Sequence, residues 1–231
     1  MPVFPIREAI AATPRAHIIK LDLEGQSFPY LAGQAAYLQP QGAEKRRPYS
    51  IASAPEETAQ HGLIEFLVQT GSDGSSGLTP DLVRPGTPVA INGPLGSFTF
   101  PAHPRERRFV FIAGGTGIAP LRAMLHHALA IPHREVGVFY SARTPDEFAY
   151  QDELRALAAS GRIELRQTVT RTVGDQWSGA RGRIDRAELQ RLIHDPETLC
   201  FVCGPPSLVE EMPKLLADVG VERRRIRMEE W

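Results

Sequence analysis

Cysteine is scarce in this 231-residue chain, which holds only Cys200 and Cys203. Two thiols are too few for the disulfide framework of a secreted domain and fit a reducing compartment. They also fall short of the four ligands that an iron–sulfur cluster takes. Lysine is nearly missing too. Lys20, Lys45 and Lys214 stand among 26 basic residues, so almost every cation is an arginine, whose forked donors suit phosphates and carboxylates. Neither sign of charge is in excess (net −1), so nothing global draws the chain to nucleic acid or a membrane surface. No apolar run approaches a bilayer's thickness and no charged-then-apolar leader opens the chain, so a cytoplasmic protein is expected. The seven histidines lack metal-ligand spacing; His126 and His127 are adjacent on a predicted helix and face different ways. There is no HExxH and no GxSxG. What remains is an ordinary globular composition, long enough for one large domain or two small ones.

The patterning changes near residue 102. Before it run short β-type segments separated by Gly and Pro: His17–Leu23, Ala35–Gln39, Leu63–Gln69, Val89–Asn92 and Ser97–Phe100. Closely spaced strands with turn chemistry between them predict an antiparallel β-barrel over 1–102. PAHPRERR (101–108) reads as a linker. Over 103–231 strand-like runs at Phe109–Ala113, Glu135–Tyr140, Ile163–Val169 and Leu199–Val202 alternate with helical spacing. The helices fit Ala119–Ala130, Asp152–Ala159, Arg186–His194 and Ser207–Val219. That alternation predicts a parallel sheet in an α/β, Rossmann-like domain, with ligands beyond the carboxyl ends of its strands.

FIAGGTGIAP (111–120) falls at such an end. Gly114, Gly115 and Gly117 let backbone N–H groups approach a ligand closely, and a strand–glycine turn–helix order suits an anion. The usual dinucleotide fingerprint wants a third Gly where Pro120 stands, so a tight turn with no ligand is an equal reading. In RRPYSIAS (46–53), Pro48 extends the chain; Arg47 and Tyr49 then share one face while Ser50 turns to the other. An Arg, an aromatic ring and a hydroxyl match the phosphate, flat ring and polar edge of a flavin nucleotide. Taken alone, a surface Arg and a half-buried Tyr in a strand is the preferred reading.

RxYS in a barrel, a Gly-rich turn opening an α/β half, a late Cys-Gly-Pro-Pro and a terminal aromatic, in this order along the whole chain, resemble the ferredoxin–NADP reductase superfamily. The resemblance implies FAD as bound cofactor and NADP or NAD as substrate. Arg47 with Pro48 would then meet the flavin pyrophosphate, Tyr49 would pack on the isoalloxazine, and Ser50 would bond near its N5. GSDGSSGLTPDL (71–82) falls where the family holds the flavin pyrophosphate, with Gly74, Ser75 and Ser76 as the nearest matches and Leu78 and Leu82 anchoring a short helix. Ser72 departs from the family pattern, and a flexible linker is the plain alternative. Gly114, Gly115, Thr116 and Gly117 would take the dinucleotide pyrophosphate, Thr116 lying between the cofactors. FVCGPPSLVEEM (201–212) would be the second nucleotide segment, with Cys203, Gly204 and Pro205 at the nicotinamide. Glu229 and Trp231 match the family's terminal carboxylate and flavin-covering aromatic.

Arg143, Arg171 and Arg183 match arginines around the 2′-phosphate of NADPH in bacterial members, while Glu147 matches an acidic residue of NADH-using relatives; the lean is to NADPH. Cys200 and Cys203 form a CxxC, but Cys200 lies inside an apolar strand and is read as core. The expected catalytic set is Ser50, Cys203 and Glu229. A small acidic carrier, ferredoxin or flavodoxin, or an oxygenase component would accept the electrons, and arginines 223–225 with Arg227, or Arg105, Arg107 and Arg108, would steer it. Alternatives are an NAD(P)H:flavin reductase and a flavin-bearing sensor without turnover.

Overall fold

The computed structural model describes residues 1–71, 78–171 and 177–230. They fall into two compact units: Met1–Phe100 with Arg122–His127, and Pro101–Leu121 with Ala128–Trp231.

The first unit is an antiparallel sheet of six strands, β1 (Val3–Thr13), β2 (Ala16–Asp22), β3 (Ala35–Pro40), β4 (Arg47–Ser50), β5 (Leu63–Gln69) and β6 (Pro88–Leu95), ordered β4-β3-β6-β1-β2-β5. The edge strands meet through a bridge between Ile51 and Phe66, and Ala52 N–H donates to Glu65 O at 2.8 Å, so the sheet closes on itself. Closure leaves no unpaired edge at that seam. Inside are Phe4, Ile6, Ile19, Leu21, Leu38, Ile51, Phe66 and Val89, supplied by alternate positions of the strands.

Two features depart from the pattern read off the chain. β1 carries Pro5, which ordinarily argues against a central strand. Here Pro5 stands opposite Pro88, so the two residues that cannot donate to the ladder share one rung. Ser97–Phe100, expected as a strand, is not one. Phe98 and Phe100 do alternate inward and are buried, but Gly96, at φ +97°, has already turned the chain out of β6.

One short helix, α1 (Pro55–His61), packs on β5 and brings Glu56 and Glu57 to its first turn. The unit's most buried cation meets Glu57. Arg122 is only 7% exposed; its guanidinium donates to Ala52 O at 2.8 Å and to both Glu57 oxygens at 3.2 and 3.3 Å, and lies 3.7 Å from Glu65. His126 and His127 approach Glu57 at 3.3 Å and Glu56 at 2.7 Å. Beside them Tyr30 Oη lies 2.7 Å from Thr58 Oγ1 and 3.0 Å from Ser53 Oγ, and burial pushes its hydroxyl up to about 12.

The second unit is a wholly parallel sheet: β7 (Arg108–Gly114), β8 (Glu135–Ala142), β9 (Glu164–Val169), β10 (Ala180–Arg181), β11 (Leu199–Gly204) and β12 (Ile226–Glu230), ordered β10-β9-β8-β7-β11-β12. β7 and β11 are buried along nearly their whole length, as strands covered on both faces must be. The helices are α2 (Ile118–Ala130), α3 (Gln151–Ala159), α4 (Arg186–Leu192) and α5 (Pro206–Asp218). One core joins Val110, Ile112, Cys200 and Val202 to Leu189, Leu192, Met212 and Leu216. A barrel followed by a parallel α/β sheet is thus the observed architecture. Among the described residues no helix is long and apolar enough to cross a membrane.

Removing one partner of a buried ion pair leaves the other uncompensated, at a cost of about 3 kcal/mol or more. Arg122→Met is therefore expected to lower the unfolding free energy by about that amount in urea melts, and adding Glu65→Gln to restore part of it. A single variant as stable as wild type would show the cluster to be neutral for folding.

Candidate nucleotide and flavin sites

The order of the parallel sheet reverses between β7 and β11. From β7 the chain proceeds through β8 and β9 to one edge, then crosses back to place β11 and β12 on the other side. The crevice at such a reversal, outside the carboxyl ends of the strands, is the open part of the sheet. β7 ends there at Gly114, followed by a 3-10 turn, Gly115–Gly117, and then α2. β11 ends beside it at Gly204, with Pro205 capping α5.

These two turns touch backbone to backbone, which changes the meaning of their glycines. A Cβ at Gly114 would lie 2.8 Å from Pro205 Cδ and 2.9 Å from Leu208 Cδ2; one at Gly204 would lie 2.7 Å from Leu208 Cδ2 and 3.1 Å from Gly114 Cα. At Gly117 it would overlap the Cys203 carbonyl and stand 2.9 Å from Gly204 N. Three of the four glycines are thus required by the chain's own packing. Gly115 is different: its φ of +55° is left-handed, and it is half-exposed.

The first turns of α1, α3 and α4 carry Glu56 and Glu57, Asp152 and Glu153, and Glu188; those of α2 and α5 carry no acidic residue. Carboxylates normally complement the positive end of a helix, so the two helices at the crevice have no first-turn carboxylate of their own to do so.

Cys203 ends β11 in register with Glu229 of β12. Burial first, and the Glu229 carboxylate second, push the Cys203 thiol far up, so it stays protonated, and burial raises the Glu229 carboxyl above its ordinary range. Cys200, three residues earlier, belongs to the α4–α5 core and its thiol is pushed up to about 12 by burial. Odd spacing along a strand puts the two sulfurs on opposite faces of the sheet, so the CxxC does not bring them together as a redox pair.

Arg143 and Arg171 lie past the ends of β8 and β9, joined by a hydrogen bond from Arg171 N–H to Arg143 O at 3.0 Å. Both side chains are exposed, with no ion pair among the described residues. Arg183 is instead held by Glu211 at 2.8 Å. Among the described residues, three arginines of the basic patches read from the sequence are paired with carboxylates. Arg225 is met by Glu106, Glu197 and Glu222, Arg224 by Glu222, and Arg108 by Glu135 and Asp195.

In the barrel, β4 presents RPYS on the sheet's edge beside β3, with Ser50 opposite Ala35, Tyr49 opposite Ala36 and Arg47 opposite Leu38. Pro48 is exposed and its neighbours half-buried. Tyr49 packs partly on the barrel core, yet its Oη is buried with no hydrogen-bond partner among the described residues. Such an atom calls for a partner. A polar ring edge laid on β4 would supply one, so the residues present fit a flavin. Leu78 is buried and bridges to Thr70, and Pro80–Leu82 forms one 3-10 turn where a short helix was expected. Ser72, Gly74, Ser75, Ser76 and Trp231 lie outside the described residues.

Two residues that hold these sites were not anticipated. Arg122 bonds the carbonyl two residues past Ser50; its only sequence signal is a lone Arg in the apolar run IAPLRAML. Tyr140 is fully buried near the end of β8 and reads as core until its hydroxyl is seen on Gly115 O.

Comparison with known proteins gives the same division. Residues 5–100 match the oxidoreductase FAD-binding domain and residues 111–214 the oxidoreductase NAD-binding domain. The chain is 35% identical over 222 residues to ferredoxin–NADP reductase B of Sorangium cellulosum, covering 90% of this chain and 88% of that protein. It is 32% identical over 205 residues to one component of the Na(+)-translocating NADH-quinone reductase of Yersinia pestis, covering 80% of this chain but only 48% of that component. Among solved structures, the flavohem-like FAD/NAD-binding domain of nitric oxide dioxygenase from Vibrio cholerae superposes with a TM-score of 0.83 at 25% identity, covering 99% and 98% of the two chains. A ferredoxin NADP+ reductase from Neisseria gonorrhoeae with bound FAD and NADP shares the fold, with a TM-score of 0.78 at 22% identity over 99% and 98%.

Two outcomes are expected. Gly117→Ala, whose φ of −61° any residue tolerates, acts by overlap alone and lowers the unfolding free energy by about 1–3 kcal/mol; an unshifted melt would show that the turns can part freely. A carboxyl whose folded pKa is raised contributes its stability below the ordinary carboxylate range and loses it as pH climbs through the raised value. The melting temperature of Glu229→Gln relative to wild type should therefore rise from acid to neutral pH, and a difference that stays flat would place Glu229 in water.

Proposed function

The chain belongs to the ferredoxin–NADP reductase family of NAD(P)H–flavin oxidoreductases, and within that family we propose that it draws electrons from NADPH through FAD held on β4 and passes them to an acceptor outside these 231 residues. The observation that carries the reading is the pair of helix N-termini, α2 and α5, converging without first-turn carboxylates on one glycine-lined crevice. A dinucleotide's diphosphate is the anion such a crevice suits.

When bound, the flavin supplies the redox chemistry, taking a hydride equivalent from nicotinamide and releasing electrons singly. The protein's part is binding and placement. On the barrel (residues 1–102 in this reading), Arg47 and the 74–76 segment are assigned to the flavin's phosphates, Tyr49 to its ring and Ser50 to a hydrogen bond at its polar edge. On the α/β half (103–231), Gly115, Thr116 and the α2 N-terminus hold the dinucleotide diphosphate, and Cys203–Pro205 floor the nicotinamide pocket. Cys203, held protonated by burial, offers a neutral donor there, and Glu229 stands beside it in register on β12. Trp231 is assigned to cover the flavin.

The lean to NADPH rests on Arg143 and Arg171, neighbours at two strand ends that pair with no carboxylate among the described residues. Arg183 would first have to leave Glu211. As acceptor we favour a ferredoxin- or flavodoxin-type carrier, following the relative in Sorangium cellulosum. The internal pairing of Arg108, Arg224 and Arg225 supports a second reading, an NAD(P)H:flavin reductase or oxygenase reductase component, because it weakens the field that would steer an acidic protein. The two buried free thiols support a cytoplasmic setting.

Anaerobic stopped-flow mixing with NADPH and NADH in parallel tests the reading: the flavin band should bleach within the turnover time, faster with NADPH. Replacing Arg143 and Arg171 by Ala should cut the NADPH preference in kcat/KM about tenfold or more, as expected for lost charge-assisted bonds. A protein that binds no flavin would end the proposal, and an unchanged preference would end its NADPH part.

A further inference from the structure

The Tyr140 side chain is fully buried, and burial pushes its hydroxyl far up, so it stays a protonated donor. It donates to Gly115 O at 3.0 Å and accepts from Ala149 N–H at 3.2 Å. The ring itself needs neither bond to be fixed. It meets Phe148 edge-on with centroids 5.0 Å apart, and Phe148 stacks on Trp177 at 5.4 Å. Trp177 is anchored in turn by Nε1–H donating to Ala180 O at 2.8 Å. A phenylalanine at 140 would keep every one of those contacts, so the hydroxyl does something the core does not require.

Its two bonds define what that is. Gly115 is the turn's left-handed residue, and its carbonyl also accepts from Ile118 N–H. In a trans peptide the C=O and the following N–H point in opposite directions. Drawing the Gly115 carbonyl onto Tyr140 therefore turns the Thr116 N–H away from Tyr140. The second bond fastens Ala149, in the segment that follows Arg143 and ends at Tyr150, itself held at φ +59°. One oxygen thus ties the glycine turn to the segment leading away from the exposed arginines.

We propose that Tyr140 is a positioning residue for the dinucleotide: its hydroxyl sets the Gly115–Thr116 peptide so that Thr116 N–H faces an incoming diphosphate, and it holds the 143–150 segment in register with that turn. The inference rests on the reading of this crevice as the dinucleotide site. It adds a residue that touches neither cofactor.

The test is Tyr140→Phe in the full chain, with Kd for NADP+ and NAD+ measured by calorimetry and steady-state KM and kcat measured alongside. Both Kd values and KM should rise about tenfold, in step because both ligands carry the diphosphate, while kcat at saturation and the flavin absorbance spectrum stay at wild-type values. Phe111→Leu, which loosens the Phe111–Phe201 stack in the same unit, serves as the stability control: it should lower the melting temperature and leave Kd within about twofold. Wild-type Kd in Tyr140→Phe, or equal weakening in Phe111→Leu, would overturn the proposal and return Tyr140 to the core. Failure of the wild-type chain to bind either dinucleotide is a different result; it would overturn the reading of the crevice, and the proposal with it.

Discussion

Two turns pressed together without side chains between them set the terms for the α/β half. Because Gly117 lies on the Cys203–Gly204 peptide and Gly114 on Pro205 and Leu208, the ends of β7 and β11 reach the crevice at one level. α2 and α5 then start side by side, so the positive ends of their dipoles face the same space. Larger residues would force the turns, and with them the two helix starts, apart. The absence of first-turn carboxylates on these two helices alone is the electrostatic counterpart of that packing.

The barrel half depends on a different device. The segment after β4 has nearly every polar group engaged: Ile51 N–H on Gln34 O, Ala52 N–H on Glu65 O, Ala52 O on Arg122, Ser53 O on Tyr30. Ser53 Oγ also accepts from Glu65 N–H. A satisfied network in a low-dielectric interior is stiff. Tyr49 and Ser50 therefore emerge from a fixed root, and Tyr49 Oη is buried there with no hydrogen-bond partner among the described residues.

How much of this was legible follows from the range of the interactions. Periodicity is local, so most strands and helices of both halves could be read within a residue or two of their ends, and the barrel-then-sheet order with them. β1 escaped because Pro5 and its alanines argue against a strand, and only the facing Pro88, far along the chain, removes the objection. Ser97–Phe100 misled for the opposite reason: inward alternation of Phe98 and Phe100 survives without a ladder. The arginine clusters looked like open cationic surface because Glu106, Glu197 and Glu222 converge on Arg225 only after folding. Arg122 and Tyr140 carried no pattern of their own, since each acts through one bond to a distant carbonyl. The glycines of FIAGGTGIAP were recognised as special, but their first duty is to the neighbouring turn.

The placement of Cys200 and Cys203 on opposite faces of β11 has a chemical corollary. An oxidant that reaches Cys203 meets a thiol with no resolving partner in its own chain, so a sulfenic acid formed there cannot close to an internal disulfide. Repair falls to a mobile thiol such as glutathione, and the oxidative sensitivity of the site is set by who can enter the crevice rather than by the spacing of two letters in the sequence.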